Sequence, residues 1–365
     1  MNSRRTGPAT RISELPVKAI TEHRTFPIVM PPQVSLSPVS RSALQAAGIQ
    51  DMPPPDPNGA LAHLFTFTDA TIATRCGVVM LSGGQILTDT LDHRHPDDQI
   101  TVEGFRVSLP AGRPLPGCWL SLLLGGCNNL FHFALMNAGR LALLKEKDIR
   151  SIRGILIPAD IPAAFSTLME RAITAVWGAW DHPLPEILSV SSAASFRPDR
   201  LILPWNVAET GYFLPQALTL LSSLAPHDSR LPQHTYPRRL YISRSDSPSR
   251  PLRNEAELVF QLKQKGFVAT TLSGVPLDVQ AGLFANADMI VAPHGAGLTG
   301  LIFAKPGTRV IELMPDRLMN WCYRRLAAML DLHYDIVTGP SSPEAPAGIS
   351  PWYISPEQVV AMTGL

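Results

Sequence analysis

His294-Gly-Ala-Gly297 places an imidazole, several backbone amides and two glycines at the end of the apolar run 289–292. A short buried strand ending in such a turn presents polar groups at the carboxyl edge of a sheet, and glycine lets the backbone approach a ligand closely. If a helix begins near Gly297 or Leu298, its unpaired amides face the same opening and favour a phosphate. A tight turn between buried elements fits the Gly-x-Gly pair equally well. The second candidate is Ser243-Arg-Ser-Asp-Ser-Pro-Ser-Arg250, which sets Arg244 just beyond another strand. A guanidinium fork matches phosphate oxygens, which makes Arg244 the preferred diphosphate contact. The competing reading is a solvated basic loop with an arginine paired to Glu255. Asn254 reads as a helix cap and Glu255 as a first-turn carboxylate favoured by the helix dipole.

These groups need an α/β framework to bring strand ends together. From residue 239 the pattern alternates: strand 239–243, helix 254–265, strand 268–271, helix 277–286, strand 289–292, short helix 298–303, strand 309–313 and helix 321–332. Four short strands alternating with helices predict an open, mostly parallel sheet whose ligands sit beyond the strand carboxyl ends. Ser355-Pro-Glu-Gln358 signals the start of a final helix. Upstream, 70–75, 78–81 and 85–90 read as a β-meander. The segment 128–144 has a 3.6-residue apolar period with Asn128 or Asn129 as cap, and 153–158, 163–175 and 186–190 continue as strand, helix, strand. The chain thus divides into an extended or partly disordered segment 1–60, an N-terminal α/β domain 61–205 with added strands, a connecting region 206–237, a C-terminal domain 238–340, and a tail with its helix 341–365.

Composition narrows the partners. The 365 residues carry 31 Lys and Arg against 30 Asp and Glu, a formal charge of +1, which gives no reason to expect nucleic acid or an anionic membrane as partner. Charged residues are only 17% of the chain, which leaves room for an apolar face serving a partner or a lipid-linked substrate. Cys76, Cys118, Cys127 and Cys322 are scattered and form neither a disulfide framework nor a Cys-x-x-Cys site, so a reducing interior is the simpler compartment. No apolar leader opens the chain, and the run 115–124 is too short to span a bilayer. The nearest metal-like cluster, His93, His95, Asp97 and Asp98, reads as an exposed turn, and no metal or other cofactor is expected.

The ordered series Arg244, Asn254-Glu255, Gly266-Phe267, Gln280, Phe284, Ala287, His294-Gly-Ala-Gly-Leu-Thr299, Phe303, Pro306-Gly307 and Val310-Ile-Glu-Leu313 resembles the family 61 glycosyltransferases. That family includes bacterial polysaccharide-biosynthesis proteins and relatives of eukaryotic xylosyl- and N-acetylglucosaminyltransferases. The resemblance reaches forward to Asn129-Leu-Phe-His132 and back to Tyr334, covering roughly residues 120 to 340. Phe133 stands where Trp is usual, and Gly300 where Asn commonly follows the Leu-Thr pair.

The resemblance implies two Rossmann-like domains facing a cleft, the B-type glycosyltransferase fold, and inverting transfer from a nucleotide sugar. It implies that the donor lies on the C-terminal domain against Arg244, Asn254, Glu255, His294, Gly295, Ala296, Gly297, Thr299 and Glu312. Arg244, His294 and the glycine turn then stabilise the departing diphosphate, and Thr299 adds a hydroxyl. Glu312 accepts from ribose hydroxyls near its strand end, or serves as a structural ion pair or cap. Inversion by direct displacement needs a base for the acceptor hydroxyl. His132, on the acceptor side with Asn129, is the leading candidate, with ligand contact and core packing as its other readings; His294 could exchange roles with it. Asn129 orients His132, binds sugar or caps the helix. The implied acceptor is a glycan or lipid-linked glycan in surface polysaccharide synthesis, in the cytoplasm or at the inner membrane face. A catalytically weak nucleotide-sugar or glycan-binding protein is the competing class, and a sugar-phosphate epimerase the third.

Overall fold

The computed structural model describes residues 4–10, 20–28, 35–52, 60–82, 84–87, 90, 101–103, 106–205, 208–209, 212–225 and 236–365. The loop 53–59 and the His93, His95, Asp97, Asp98 cluster lie outside these residues. The chain forms two compact units: 1–28, 60–209 and 213–224 make the first, and 29–59, 210–212 and 225–365 the second. Both are mixed α/β with parallel strands.

In the first unit, four parallel strands lie in the spatial order Glu186–Val190, Gly154–Pro158, Arg113–Ser121, Ser195–Trp205. Leu201, Ile202 and Leu203 are consecutive buried residues of the last, the near-continuous apolar run of a strand covered on both faces. Antiparallel strands extend this core: Ala60–Thr68 and Thr71–Ala73 pair with Ser195–Trp205. The meander appears as Thr71–Ala73, Val78–Met80 and Ile86–Leu87. Phe65, Phe67, Trp119, Leu156 and Leu203 pack together at the centre.

The first 60 residues are not one extended segment where they are described. Glu22–Ile28 pairs antiparallel with Ala60–Thr68 in the first unit. In the second, Pro38–Ala46 is an α-helix whose Ser37 hydroxyl caps the amide of Ser40, with Pro38 supplying the fixed backbone angle of a first turn. Buried Ser40 then bonds Asp335 and the carbonyl of Ile336, which anchors this helix on the last strand.

Residues 128–144 depart from the regular helix that their periodicity predicts. After one turn the backbone becomes a π-helix, His132–Asn137, and then a 3-10 helix, Ala138–Leu143. An amphipathic α-helix keeps one face outward, whereas here nearly every position from Phe133 to Leu143 is buried. The backbone follows packing against helices Ala163–Gly178 and Pro215–Ser223 instead. Arg140 is enclosed in this packing, donates to the Leu123 carbonyl at 3.0 Å, and is pushed down by burial to about 10.

The second unit reads β1 (Arg239–Ile242), α1 (Glu255–Gln264), β2 (Val268–Thr270), α2 (Leu277–Asn286), β3 (Met289–Pro293), a 3-10 helix (Ala296–Phe303), β4 (Arg309–Pro315), α3 (Cys322–Met329), β5 (His333–Gly339) and α4 (Pro356–Thr363). Its strands are all parallel in the order β2-β1-β3-β4-β5. The direction of winding reverses between β1 and β3, so the crevice beyond their carboxyl ends is where such a sheet receives ligands. β5 adds a fifth strand that the sequence pattern leaves unassigned, although Ile336-Val-Thr338 carries the β-branched signal. Residues 341–365 belong to the core of this unit, because Trp352, Ile354, Val359 and Met362 pack with Tyr241, Leu258, Val291 and Ile311.

Candidate functional site

Arg244 follows β1 and His294 follows β3, so the parallel pairing of these neighbours brings both loops to the switch point of the sheet. Gly295 makes their close approach feasible. Its φ of 164° is extended backbone open to any residue, yet a Cβ there would lie 1.7 Å from Arg244 Nη1. The absence of a side chain is therefore required by the guanidinium and not by the turn.

The Arg244 side chain is held from below. Its Nη2 donates to Ser247 Oγ at 3.0 Å, Ser249 Oγ at 3.1 Å and the Ser249 carbonyl at 3.2 Å. Its backbone amide donates to Glu255 Oε1 at 3.2 Å, and the Tyr241 hydroxyl donates to the same oxygen at 2.8 Å. Glu255 thus ties the Arg244 loop to β1 through one carboxylate oxygen. Burial, reinforced by Glu255, pushes the Tyr241 phenol well above its ordinary range, which keeps it a donor.

Arg250 completes a cationic pair that the sequence reading leaves unused. It has a left-handed φ of 53°, and its Nη1 donates to the Gly348 carbonyl at 3.1 Å. Burial lowers the pKa of Arg244, the neighbouring Tyr323, Asp246 and Glu255 offsetting this only in part. Burial lowers that of Arg250 as well, and the Arg244 charge lowers it further. Among the described residues neither guanidinium forms an ion pair, and the buried Nε of each has no hydrogen-bond partner. Two half-buried cations that form no ion pair are suited to an anion. The same loops border a cavity of about 560 Å³ lined by Arg253, Pro340, Ser341, Ser342, Pro351 and Tyr353.

His294 is buried, and its Nδ1 lies 2.6 Å from Glu312 Oε1. The register explains this contact: Ala292 pairs with Glu312 and Val310 with Tyr334, so His294, Glu312 and Tyr334 fall on one face of the sheet. The Tyr334 hydroxyl donates to the other oxygen, Glu312 Oε2. The expected contact of Glu312 with ribose does not fit this placement, because the residue is fully buried and both oxygens are occupied. Burial, with Glu312 beside it, pushes Tyr334 well above the ordinary phenol range. Tyr323 stands edge-on to the His294 ring at 5.3 Å and faces Thr299 with its phenol. Thr299 is fully buried there, whereas Ala296 and Gly297 are the partly exposed residues of the turn.

Asn254 sits at the N-cap position of α1 but makes no side-chain cap bond. Its amide nitrogen donates to the Ile354 carbonyl at 2.7 Å and its oxygen accepts from the Ile354 amide at 3.2 Å, which ties the loop to the C-terminal tail. The departure at Gly300 also has a packing cause. A Cβ at this position would lie 2.1 Å from the Phe284 ring of α2.

In the first unit, Asn129 and His132 follow the Arg113–Ser121 strand, whose sheet neighbours come from Gly154–Pro158 and Ser195–Trp205. Asn129 caps: its Oδ1 accepts from the Phe131 amide at 2.9 Å. The half-buried His132 sets Nδ1 2.9 Å from Met136 Sδ, a contact in which only the ring nitrogen can supply the proton. Gly126, at φ 73°, passes close beneath this ring.

Of the residues beyond the sequence reading, Tyr323 and Arg250 carry no motif, and Tyr334 marks only the end of the resemblance. The alternating Ser243, Ser245, Ser247 and Ser249 before Arg250 and the β-branched run after Tyr334 are the signals the sequence offers.

A family model described as Glycosyltransferase 61 matches residues 87–311, ending one residue before Glu312. A β-1,2-xylosyltransferase of Oryza sativa subsp. japonica is 36% identical over 86 residues, covering 23% of this chain and 15% of that protein. A protein O-linked-mannose β-1,4-N-acetylglucosaminyltransferase 2 of Takifugu rubripes is 32% identical over 123 residues, covering 29% of this chain and 21% of that protein. The corresponding protein of Tetraodon nigroviridis gives the same identity and coverage. The matched segments thus span about a fifth or less of these relatives.

Proposed function

Because this chain belongs to the glycosyltransferase 61 family, we propose that it transfers a sugar from a nucleoside-diphosphate donor to a glycan or lipid-linked glycan. The observation that carries this reading is the unpaired Arg244–Arg250 cation pair beside His294 at the switch point of the second sheet. The parallel Rossmann-like sheet in each unit supports the B-type glycosyltransferase fold as its framework. The cavity beside Arg253 and Tyr353 gives room for the nucleoside end of the donor.

The proposed reaction is a direct, inverting displacement. His132 takes the acceptor hydroxyl proton as that oxygen bonds to the anomeric carbon. The bond from this carbon to the phosphate oxygen breaks, and the electron pair leaves with the nucleoside diphosphate. Arg244 and His294 stabilise its charge, with the first amides of the 3-10 helix as further donors. The guanidinium pair supports neutralisation by side chains, with no metal required. Surface polysaccharide synthesis at the inner membrane face is the setting proposed for this chemistry. Among the described residues no helix is long and apolar enough to cross a membrane.

The test is a panel of nucleoside-diphosphate sugars that includes activated xylose and N-acetylglucosamine, with hydrolysis and transfer measured in the presence and absence of EDTA. Turnover that survives EDTA, inverts the anomeric configuration by NMR, and is lost in folded Arg244→Ala and His132→Ala supports the proposal. Donor binding without turnover across the panel would assign a binding module, and retained configuration would exclude direct displacement.

A further inference from the structure

Glu312 is hard to explain as a device of the fold. Its partners across the sheet, Ala292 and Ile336, are apolar and buried, and Val310 two residues before it is fully buried too. Enclosing a carboxylate costs several kcal/mol unless it is well paired, and an apolar residue commonly serves such a position as well or better. Yet this carboxylate stands between an imidazole at 2.6 Å and the Tyr334 phenol, with no Lys or Arg forming an ion pair with it among the described residues.

We propose that Glu312 and Tyr334 are positioning residues that hold His294 in the Nδ1–H form and present its Nε2 to the donor diphosphate. The inference rests on the glycosyltransferase reading for its ligand, but its structural half stands by itself. An ionised Glu312 accepts from both neighbours, so the Nδ1 proton is fixed and only Nε2 remains for a ligand. Tyr334 holds the second oxygen, which stops the carboxylate from rotating away from the ring. In the doubly protonated ring Glu312 would balance the imidazolium, with Nε2–H donating to the departing phosphate oxygen. Tyr323, edge-on to the ring at 5.3 Å, limits its remaining rotation. An outer partner that orients a histidine is a recurring way of fixing both tautomer and direction.

The decisive measurement is the ¹⁵N spectrum of His294 in the full chain, assigned with His294→Gln, together with donor turnover of Glu312→Gln and Tyr334→Phe. In the wild-type neutral ring the proton is expected on Nδ1; a proton on Nε2 overturns the proposal, because Glu312 would then be the protonated partner. Glu312→Gln keeps the shape and an acceptor for Nδ1–H, so thermal unfolding should show a fold at least as stable, while kcat falls by roughly 10²-fold. Tyr334→Phe should keep the fold and lower kcat by about 10-fold, the low end for loss of an outer partner. Wild-type turnover in both folded variants, or loss of turnover that only tracks loss of fold, assigns a structural role and sinks the idea. If the wild-type chain turns over no donor, the glycosyltransferase reading fails separately. The ¹⁵N tautomer and the UDP-induced shift in unfolding temperature of Glu312→Gln against wild type then decide the positioning role.

Discussion

Replacing Gly295 by Ala should disable donor chemistry while leaving the fold nearly intact. The backbone at this position is extended, with φ 164°, so alanine adds no conformational strain and the perturbation is purely steric. The new Cβ would lie 1.7 Å from Arg244 Nη1 and 2.8 Å from Cζ. Non-bonded heavy atoms settle at about 3.5–4.0 Å, so the guanidinium must retreat by roughly 2 Å. A long side chain can do so by rotation, and the cost to stability should stay at the lower end of about 1–3 kcal/mol. The retreat breaks the three Nη2 contacts to Ser247 and Ser249 and misplaces the charge. A shift of about 1 Å in a positioning group costs on the order of 10²-fold, near 2.7 kcal/mol in transition-state stabilisation. Steady-state kcat/KM on the active nucleotide sugar, alongside thermal unfolding with and without UDP, reads both quantities. Turnover within threefold of wild type, with the UDP-induced stabilisation retained, would refute the assignment of Arg244 to the donor site.

Three other substitutions separate structure from chemistry. Gly300→Ala drives a Cβ to 2.1 Å from the buried Phe284 ring, which cannot rotate away, so a stability loss of about 1–3 kcal/mol or more is expected with the donor KM of the folded fraction unchanged. Asn254→Ala removes the two bonds to Ile354 and should lower stability by about 1–3 kcal/mol, at roughly 0.5–1.5 each, without a tenfold change in donor KM. Asp335 is pushed up by burial, but hydrogen bonds from Ser37, Ser40 and Arg309 outweigh this and hold its carboxyl below the ordinary value. Because the folded carboxyl is the more acidic, its stabilisation is complete above the unfolded value of about 3.9 and fades as pH falls through the folded one. Asp335→Asn should therefore lower stability at neutral pH and flatten its fall below about pH 4, measured by denaturant unfolding across pH.

The strand ends and the glycine turn were legible in the sequence because they depend on local chemistry: an apolar run, a polar break, a glycine. Arg244 and His294 are each identifiable that way, and the alternation of strands and helices is enough to predict parallel neighbours. The Glu312–His294–Tyr334 contact was not, because it depends on the register among β3, β4 and β5, and a single sequence carries no pairing information across strands. Asn254 misled for a related reason. Its residue type and place before α1 fit a cap, but a tail 100 residues downstream offers it two backbone partners. The π-helix at His132 was likewise hidden, since its cause is burial on nearly every side and not the apolar period.

The sorting of charge in the second unit is the strongest physical statement about its ligand. Glu312, the carboxylate nearest the His294 ring, is fully enclosed behind the imidazole, with its oxygens held by Nδ1 and the Tyr334 hydroxyl. Glu255 accepts from the Tyr241 hydroxyl and the Arg244 amide, and together with Asp246 its charge offsets only part of the burial of the Arg244 guanidinium. Among the described residues no carboxylate forms an ion pair with either arginine, and burial, joined at Arg250 by the Arg244 charge, makes both less stable as cations than they would be in water. A fold that only had to be stable would place a carboxylate between them, at the gain of a charge-assisted pair. Leaving that position open is an electrostatic cost in the free protein that the proposed diphosphate would remove on binding. The site is therefore expected to bind UDP more tightly than uridine by an increment that shrinks with added salt. Equal binding of the two, or an increment insensitive to salt, would show that the arginine pair serves the loop alone.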